Sequence, residues 1–169
     1  GVIPLKNGQI SQGGTGHHYQ KENILEAAKS GIEFINISPL KSDLIDGAKG
    51  EWIAARPNTD TALMLGLAHT LHEEGLSDKK FLETYTEGFD KFLPYLLGTN
   101  DGIVKNANWA AEICNIPSSK IIELARKISS KRTMISVSWS LTRQDHGEQP
   151  FWMAIMLASM VGQIGLPSL

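Results

Sequence analysis

The stretch from Arg132 to Pro167, RTMISVSWSLTRQDHGEQPFWMAIMLASMVGQIGLP, constrains the fold more than any other. It opens with a short β-branched run, Met134 to Val137, which predicts a strand. A polar turn holding Trp139, Arg143, Gln144, Asp145 and His146 follows. A long apolar helix then begins near Gly147-Glu148-Gln149. Strand, polar loop, helix is the repeating unit of an open α/β sheet, and such sheets bind ligands in the loops at the carboxyl ends of their strands. The loop therefore carries the chemistry and the helix behind it carries the packing.

The same order recurs upstream. Residues 22–30 have Ile24, Leu25, Ala27 and Ala28 at helical spacing, and Gly31 suits the position just past a helix end. Ile32 to Ile37 (IEFINI) reads as a strand, and Val2-Ile3 as the last residues of an earlier one. Strand, helix and strand make a βαβ unit and a parallel sheet. Ser38-Pro39-Leu40-Lys41 is then a loop after a strand. Glu51 to Ala55 is a further short strand, followed by Arg56-Pro57-Asn58-Thr59-Asp60 and a helix from Thr61 to about Glu74, with Leu63, Leu67, Ala68 and Leu71 facing a core.

Two readings of Asn58-Thr59-Asp60 stand side by side. All three are residues favoured at helix starts. A carboxylate at a loop–helix junction also accepts both N1–H and the exocyclic N2–H of guanine, a donor pair adenine lacks.

Residues 77–129 read as a block of short helices. Ser77 is the expected N-cap of Asp78–Thr86, Phe89 to Leu97 follows, Gly98 to Gly102 is a break, and Asn106–Cys114 and a helix from Pro117-Ser118 to Ser129 close the block. No acid–base pair shares a loop there. His17-His18 and His69/His72 lack the spacing and the third ligand of a metal site. Gly13-Gly14-Thr15-Gly16 lacks the strand–GxGxxG–helix context of a dinucleotide fold.

A chain of 169 residues with 41% hydrophobic and 20% charged residues is an ordinary globular length and composition. A formal net charge of −2 argues against a nucleic-acid-binding face. The single cysteine, Cys114, excludes an intrachain disulfide and a Cys-rich metal site. The longest apolar run, Phe151 to Val161, falls short of the about 20 residues a membrane span needs.

Trp139, Arg143, the His-Gly-Glu-Gln run at 146–149, Trp152-Met153 and Gly162-Gln163-Ile164-Gly165-Leu166-Pro167 together resemble the molybdopterin-dependent oxidoreductases of the dimethyl sulfoxide reductase family. Within it they are most similar to the S-oxide and N-oxide reductases: dimethyl sulfoxide, trimethylamine N-oxide and biotin sulfoxide reductases. LSDKKFLETYTEGFDKFLPYLLG and WAAEICNIPSSKIIELARKI fit the same pattern.

The resemblance implies one α/β domain over residues 1–169. It would be Rossmann-like, a mostly parallel sheet with helices on both faces plus a helical cover, excised from a larger multidomain enzyme. It implies a molybdenum bis(molybdopterin guanine dinucleotide) cofactor in the full-length parent and none bound to the isolated piece, which would be inactive alone.

The residues it assigns to that cofactor are Lys6 and Asn7, Ile37, Ser38 and Pro39, Pro57, Asn58, Thr59 and Asp60, and Trp139 and Arg143. Asp60 would take the guanine, the Trp139 indole would pack on the cofactor, and the Arg143 fork would reach phosphate or pterin atoms. A Lys at position 6, beside backbone N–H groups, suits a diphosphate.

Three positions depart from the family pattern: Ile3 and Ser38 stand where Asp or Asn is usual, and Asn58 where Gln is frequent. No catalytic residue and no metal ligand is expected in this stretch. The implied partners are the cofactor, the remaining domains and an electron-donating cytochrome, in a bacterial periplasm or cytoplasm. A nitrate reductase or formate dehydrogenase of the same superfamily, and a non-catalytic nucleotide-binding module, are the other readings.

Overall fold

The computed structural model describes residues 20–166. They form a helix-rich α/β fold that divides into two compact units, one ending at Arg56 and one beginning at Pro57.

In the first unit, α1 (Gln20–Lys29) ends on a left-handed Gly31, as the sequence predicts. Strands β1 (Ile35–Ile37) and β2 (Glu51–Ile53) pair in parallel, with Ile35 opposite Glu51 and Ile37 opposite Ile53. Both are shorter than the apolar runs that announce them. The crossover between them holds only a three-residue 3-10 turn, Lys41–Asp43, where parallel pairs usually carry a helix. Gly50 lets the crossover close, because a Cβ there would lie 2.9 Å from the Phe34 carbonyl oxygen. The earlier strand expected at Val2-Ile3, and with it the predicted βαβ unit, lies outside the described residues.

The second unit is built around α2 (Asp60–Glu73). Its residues 62–68 are all buried, as befits a helix apolar on every side. It packs against α5 (Ala107–Cys114), α6 (Ser118–Ser130) and α7 (Gln149–Met160). Gly66 permits the α2–α5 approach, since an added Cβ would meet Ala110 Cβ at 2.6 Å. Leu71, Ala110, Ile121 and Met160 fill the centre with no exposure.

Helices α3 (Lys79–Tyr85) and α4 (Phe89–Leu96) complete the unit. The cap of α3 is Asp78 rather than Ser77: its carboxylate accepts the Phe81 N–H at 2.9 Å. The loop before α5 is fastened from inside. The fully buried Lys105 ammonium donates to Asp101 and to the Ile103 carbonyl, and lies 4.1 Å from the Tyr95 ring centre.

The strand expected at Met134–Val137 is not formed, and among the described residues the sheet has two parallel strands. Thr133, Ile135 and Val137 are half-buried while Met134 and Ser136 are exposed. The segment thus keeps the two-residue alternation of a strand. A strand, however, is defined by its ladder, and among the described residues none pairs with this one. The Gln163 side chain fixes its entry, accepting the Thr133 N–H at 2.7 Å and donating to the Lys131 carbonyl at 2.9 Å.

Candidate functional site: three loops with different commitments

The loop after β1 is closed on itself. Ser38 is 1% exposed, and its hydroxyl donates to the Asp43 carboxylate and accepts the Leu40 N–H at 3.1 Å. The Trp52 indole N–H donates to the Ser38 carbonyl at 2.8 Å, and the Ser38 N–H donates to Ile53. Asn36, also buried, donates its side-chain amide to Leu40 and Lys41 carbonyls at 3.4 Å each. Ile37 is half-buried and Pro39 is exposed. The Ser38 side chain therefore holds the turn, with Asp43 as a partner that sequence reasoning missed.

The turn Pro57–Asp60 is different. Asn58 takes a left-handed backbone, φ +62°, one that asparagine tolerates better than most residues. Thr59 is the buried N-cap of α2 but makes no side-chain capping bond. Its carbonyl accepts the Leu63 N–H at 3.0 Å and the buried Cys114 thiol at 3.4 Å. Cys114 thus braces this turn from α5. Asp60 is the first residue of α2 and half-buried, and its carboxylate engages no hydrogen bond among the described residues. A helix N-terminus favours negative charge there.

Trp139 to Arg143 forms a 3-10 turn, entered through Ser138, whose hydroxyl accepts the Ser140 N–H. Trp139 is 76% exposed, and Arg143 is exposed with no ion pair among the described residues. Gly147 seals the turn: a Cβ there would sit 2.5 Å from the Thr142 carbonyl oxygen. His146 has φ +55° and lies 3.8 Å from both Asp145 and Glu148. The Glu148 carboxyl is held below the usual range, first by its own backbone N–H and then by the Gln149 amide. The Gln144 side-chain oxygen is buried without a hydrogen-bond partner. No motif marks Gln144, whose type alone carries no signal.

Lys6 and Asn7 lie outside the described residues. Ile37 to Pro39 belong to the first unit, and Pro57 to Asp60, Trp139 and Arg143 to the second. His69 on α2 has its pKa lowered, chiefly by burial and further by His72, with Glu73 opposing. Among the described residues no cluster of His, Cys, Asp and Glu could hold a metal ion. No helix among them is long and apolar enough to cross a membrane.

Two turns of the second unit thus present a carboxylate, an aromatic face and a guanidinium on a helical scaffold. The molybdopterin oxidoreductase family model matches residues 9–168, and the chain belongs to that family.

Among curated relatives it is 51% identical over 139 residues to the dimethyl sulfoxide/trimethylamine N-oxide reductase of Cereibacter sphaeroides, a match covering 82% of this chain and 17% of that protein. It is 44% identical over 167 residues to the biotin sulfoxide reductase of the same organism, covering 99% and 22%. It is 52% identical over 138 residues to the trimethylamine-N-oxide reductase of Haemophilus influenzae, covering 82% and 17%. The chain thus spans about a fifth of the length of these relatives.

Acetylene hydratase from Pelobacter acetylenicus superposes with a TM-score of 0.71 at 23% identity, over 86% of this chain and 19% of that one, a likeness of fold. The family match and the curated relatives uphold the resemblance to the S-oxide and N-oxide reductases.

Proposed function

We propose that this chain is the guanine-nucleotide-cradling part of a larger molybdenum reductase that removes the oxygen atom from S-oxides or N-oxides. The observation that carries the reading is the Asp60 carboxylate: half-buried, at the N-terminus of α2, and without a hydrogen bond among the described residues.

A carboxylate so placed accepts guanine N1–H and N2–H together, two charge-assisted bonds that adenine cannot return. The exposed Trp139 face suits stacking against a flat heterocycle, and the Arg143 fork suits a phosphate. The orphaned Gln144 oxygen and the uncommitted Asp60 and Arg143 side chains fit bis(molybdopterin guanine dinucleotide), which would lie against Pro57–Asp60 and Trp139–Arg143. Ile37, Ser38 and Pro39 would meet it through backbone and surface, and Lys6 and Asn7 through its diphosphate. When bound, the cofactor supplies the oxygen-atom transfer, and this chain orients it.

The similarity to S-oxide and N-oxide reductases along most of the chain supports the reaction class. Residues 1–169 are then one cofactor-binding segment of the parent. Further strands of the parent would extend the two-strand sheet into a Rossmann-like one, and an electron-donating cytochrome would meet the parent elsewhere. Alone, the chain turns over no S-oxide or N-oxide with dithionite-reduced viologen.

Calorimetric titration with GDP and ADP tests the nucleotide assignment. Preference for GDP that disappears in Asp60→Asn is the expected result. Equal binding of the two nucleotides by the unaltered chain would overturn it.

A further inference from the structure

Helix α7, QPFWMAIMLASM, is apolar on every side, the pattern of a helix covered all round. Its inner face is covered: Met153, Leu157 and Met160 are buried in the second unit. Its outer face is bare, with Trp152 and Ile155 each 63% exposed.

Beside it runs a groove of about 710 Å³, walled by α3, α7 and the turn that follows α7. Tyr85, 73% exposed, stands on the opposite wall with its ring centre 5.0 Å from that of Phe81. Ile164 and Leu166 close the end and are themselves exposed. Contiguous bare apolar surface of this kind marks a contact site on a folded protein.

The polar lining decides what kind of contact. A small-molecule pocket needs a few convergent polar groups to orient its ligand. Here the Thr86 hydroxyl donates to the Leu82 carbonyl at 2.6 Å and the Ser159 hydroxyl to the Ile155 carbonyl at 2.9 Å, each within its own helix. The exposed Glu87 carboxylate is the one charged side chain of the lining, with the Tyr85 hydroxyl and the Trp152 indole N–H as polar tips on aromatic rings. An aromatic and aliphatic floor with one acid at the edge has the make-up of a polypeptide interface, apolar at the core and polar at the rim.

We infer that this groove is the seat of an apolar segment from the remaining polypeptide of the same enzyme, with a hydrogen-bond donor facing Glu87. The occupant is argued from length: the relatives are about five times longer than this chain, so most of the protein that could cover α7 lies outside these residues. The inference rests on the larger-reductase reading of the preceding section.

Hydroxyl-radical labelling of the protein captured from its native source, with its mass recorded, is the test. Tyr85 and Trp152 are read by mass spectrometry in the native and the urea-unfolded protein. In a polypeptide of the relatives' size, both residues label roughly tenfold or more slower when native, because an interface core excludes water. Labelling within about twofold of the unfolded rate, in a polypeptide of that size, would overturn the groove assignment and leave the larger-reductase reading intact. A protein of this chain's own mass would instead overturn the larger-reductase reading and the inference with it. If such a protein were protected and sedimented as a dimer, the occupant would be a second copy. Ile155→Asp in the full polypeptide gives a second readout: a lowered thermal midpoint is expected, and an unchanged one counts against the seat.

Discussion

The loop after β1 and the turn before α2 sit at comparable places, each just past a β-strand, yet they treat their polar side chains in opposite ways. In the first, Ser38, Asn36, Asp43 and the Trp52 indole are all engaged with one another or with the loop's own backbone. In the second, Asp60 ends in a carboxylate with no hydrogen bond among the described residues, and the later turn offers Trp139 and Arg143 in the same state. A buried hydroxyl that has both its donor and its acceptor satisfied belongs to the scaffold. A half-buried carboxylate without a hydrogen bond among the described residues at a helix start keeps its acceptors free for a ligand, as proposed for Asp60. Position after a strand nominates a residue; on the proposed reading, the state of its hydrogen bonds then says whether its side chain is free to meet a ligand.

The contrast can be broken most directly at Asp60. Asp60→Asn should weaken GDP binding by roughly ten- to a hundredfold, the about 1.5–3 kcal/mol of hydrogen bonds to a charged group. It should leave ADP binding unchanged and lower the urea midpoint only slightly, since the helix-terminus charge interaction is lost but no hydrogen bond within the described residues is. A falling midpoint with constant GDP affinity would make Asp60 a scaffold residue like Ser38.

Ser38→Ala should give the reverse. It strands the Leu40 N–H and deprives the Asp43 carboxylate of its donor, costing about 1–3 kcal/mol of stability, read as a lower urea midpoint. Nucleotide affinity should stay within experimental scatter. Weakened GDP binding at unchanged stability would place Ser38 among the binders after all.

The helices were readable because their signals are local. The apolar runs of α2 and α6 and the left-handed Gly31 lie where periodicity and cap preference put them. At α3 Ser77 and Asp78 are both good caps, and only the geometry selects Asp78. The strands were readable in place but not in extent, and Met134–Val137 shows why: a β-branched run needs a neighbouring strand, and the neighbour is not encoded in the run itself.

The candidate site divides along the same line. The Pro57–Asp60 group and the Trp139/Arg143 pair stand out as residue patterns. The Ser38–Asp43 bond, the Cys114 thiol on the Thr59 carbonyl and the orphaned Gln144 oxygen are products of tertiary placement, and residue type alone announces none of them.

A smaller effect is expected at Arg143. Arg143→Lys keeps the charge and replaces a planar fork of donors with a point donor. Loss of one hydrogen bond to phosphate, about 1 kcal/mol, should weaken GDP binding roughly fivefold and leave guanosine binding unaltered. An equal loss for guanosine would move Arg143 from the phosphate to the base.

The smallest effect concerns acid stability, and it sharpens the distinction between engaged and idle carboxylates. The Asp101 carboxyl is held below its usual range, first by the Lys105 hydrogen bond and then by the Ile103 N–H. The Arg126 guanidinium, donating from Nε and Nη2 at 2.7 Å each, does the same for Glu74. A depressed native pKa means that the unfolded chain binds protons first on acidification. Each pair therefore contributes its full stability above the unfolded values, about 3.9 for Asp and 4.3 for Glu. That contribution is lost as pH falls through the lower native values. The urea midpoint should accordingly decline below about pH 4. Asp101→Asn should flatten that decline more than Glu74→Gln does, because Asp101 neutralises a fully buried ammonium while the Glu74–Arg126 pair stands on the surface, where ion pairs contribute little. An acid limb in Asp101→Asn as steep as in the unaltered chain would show that the Lys105 pair does not carry the decline.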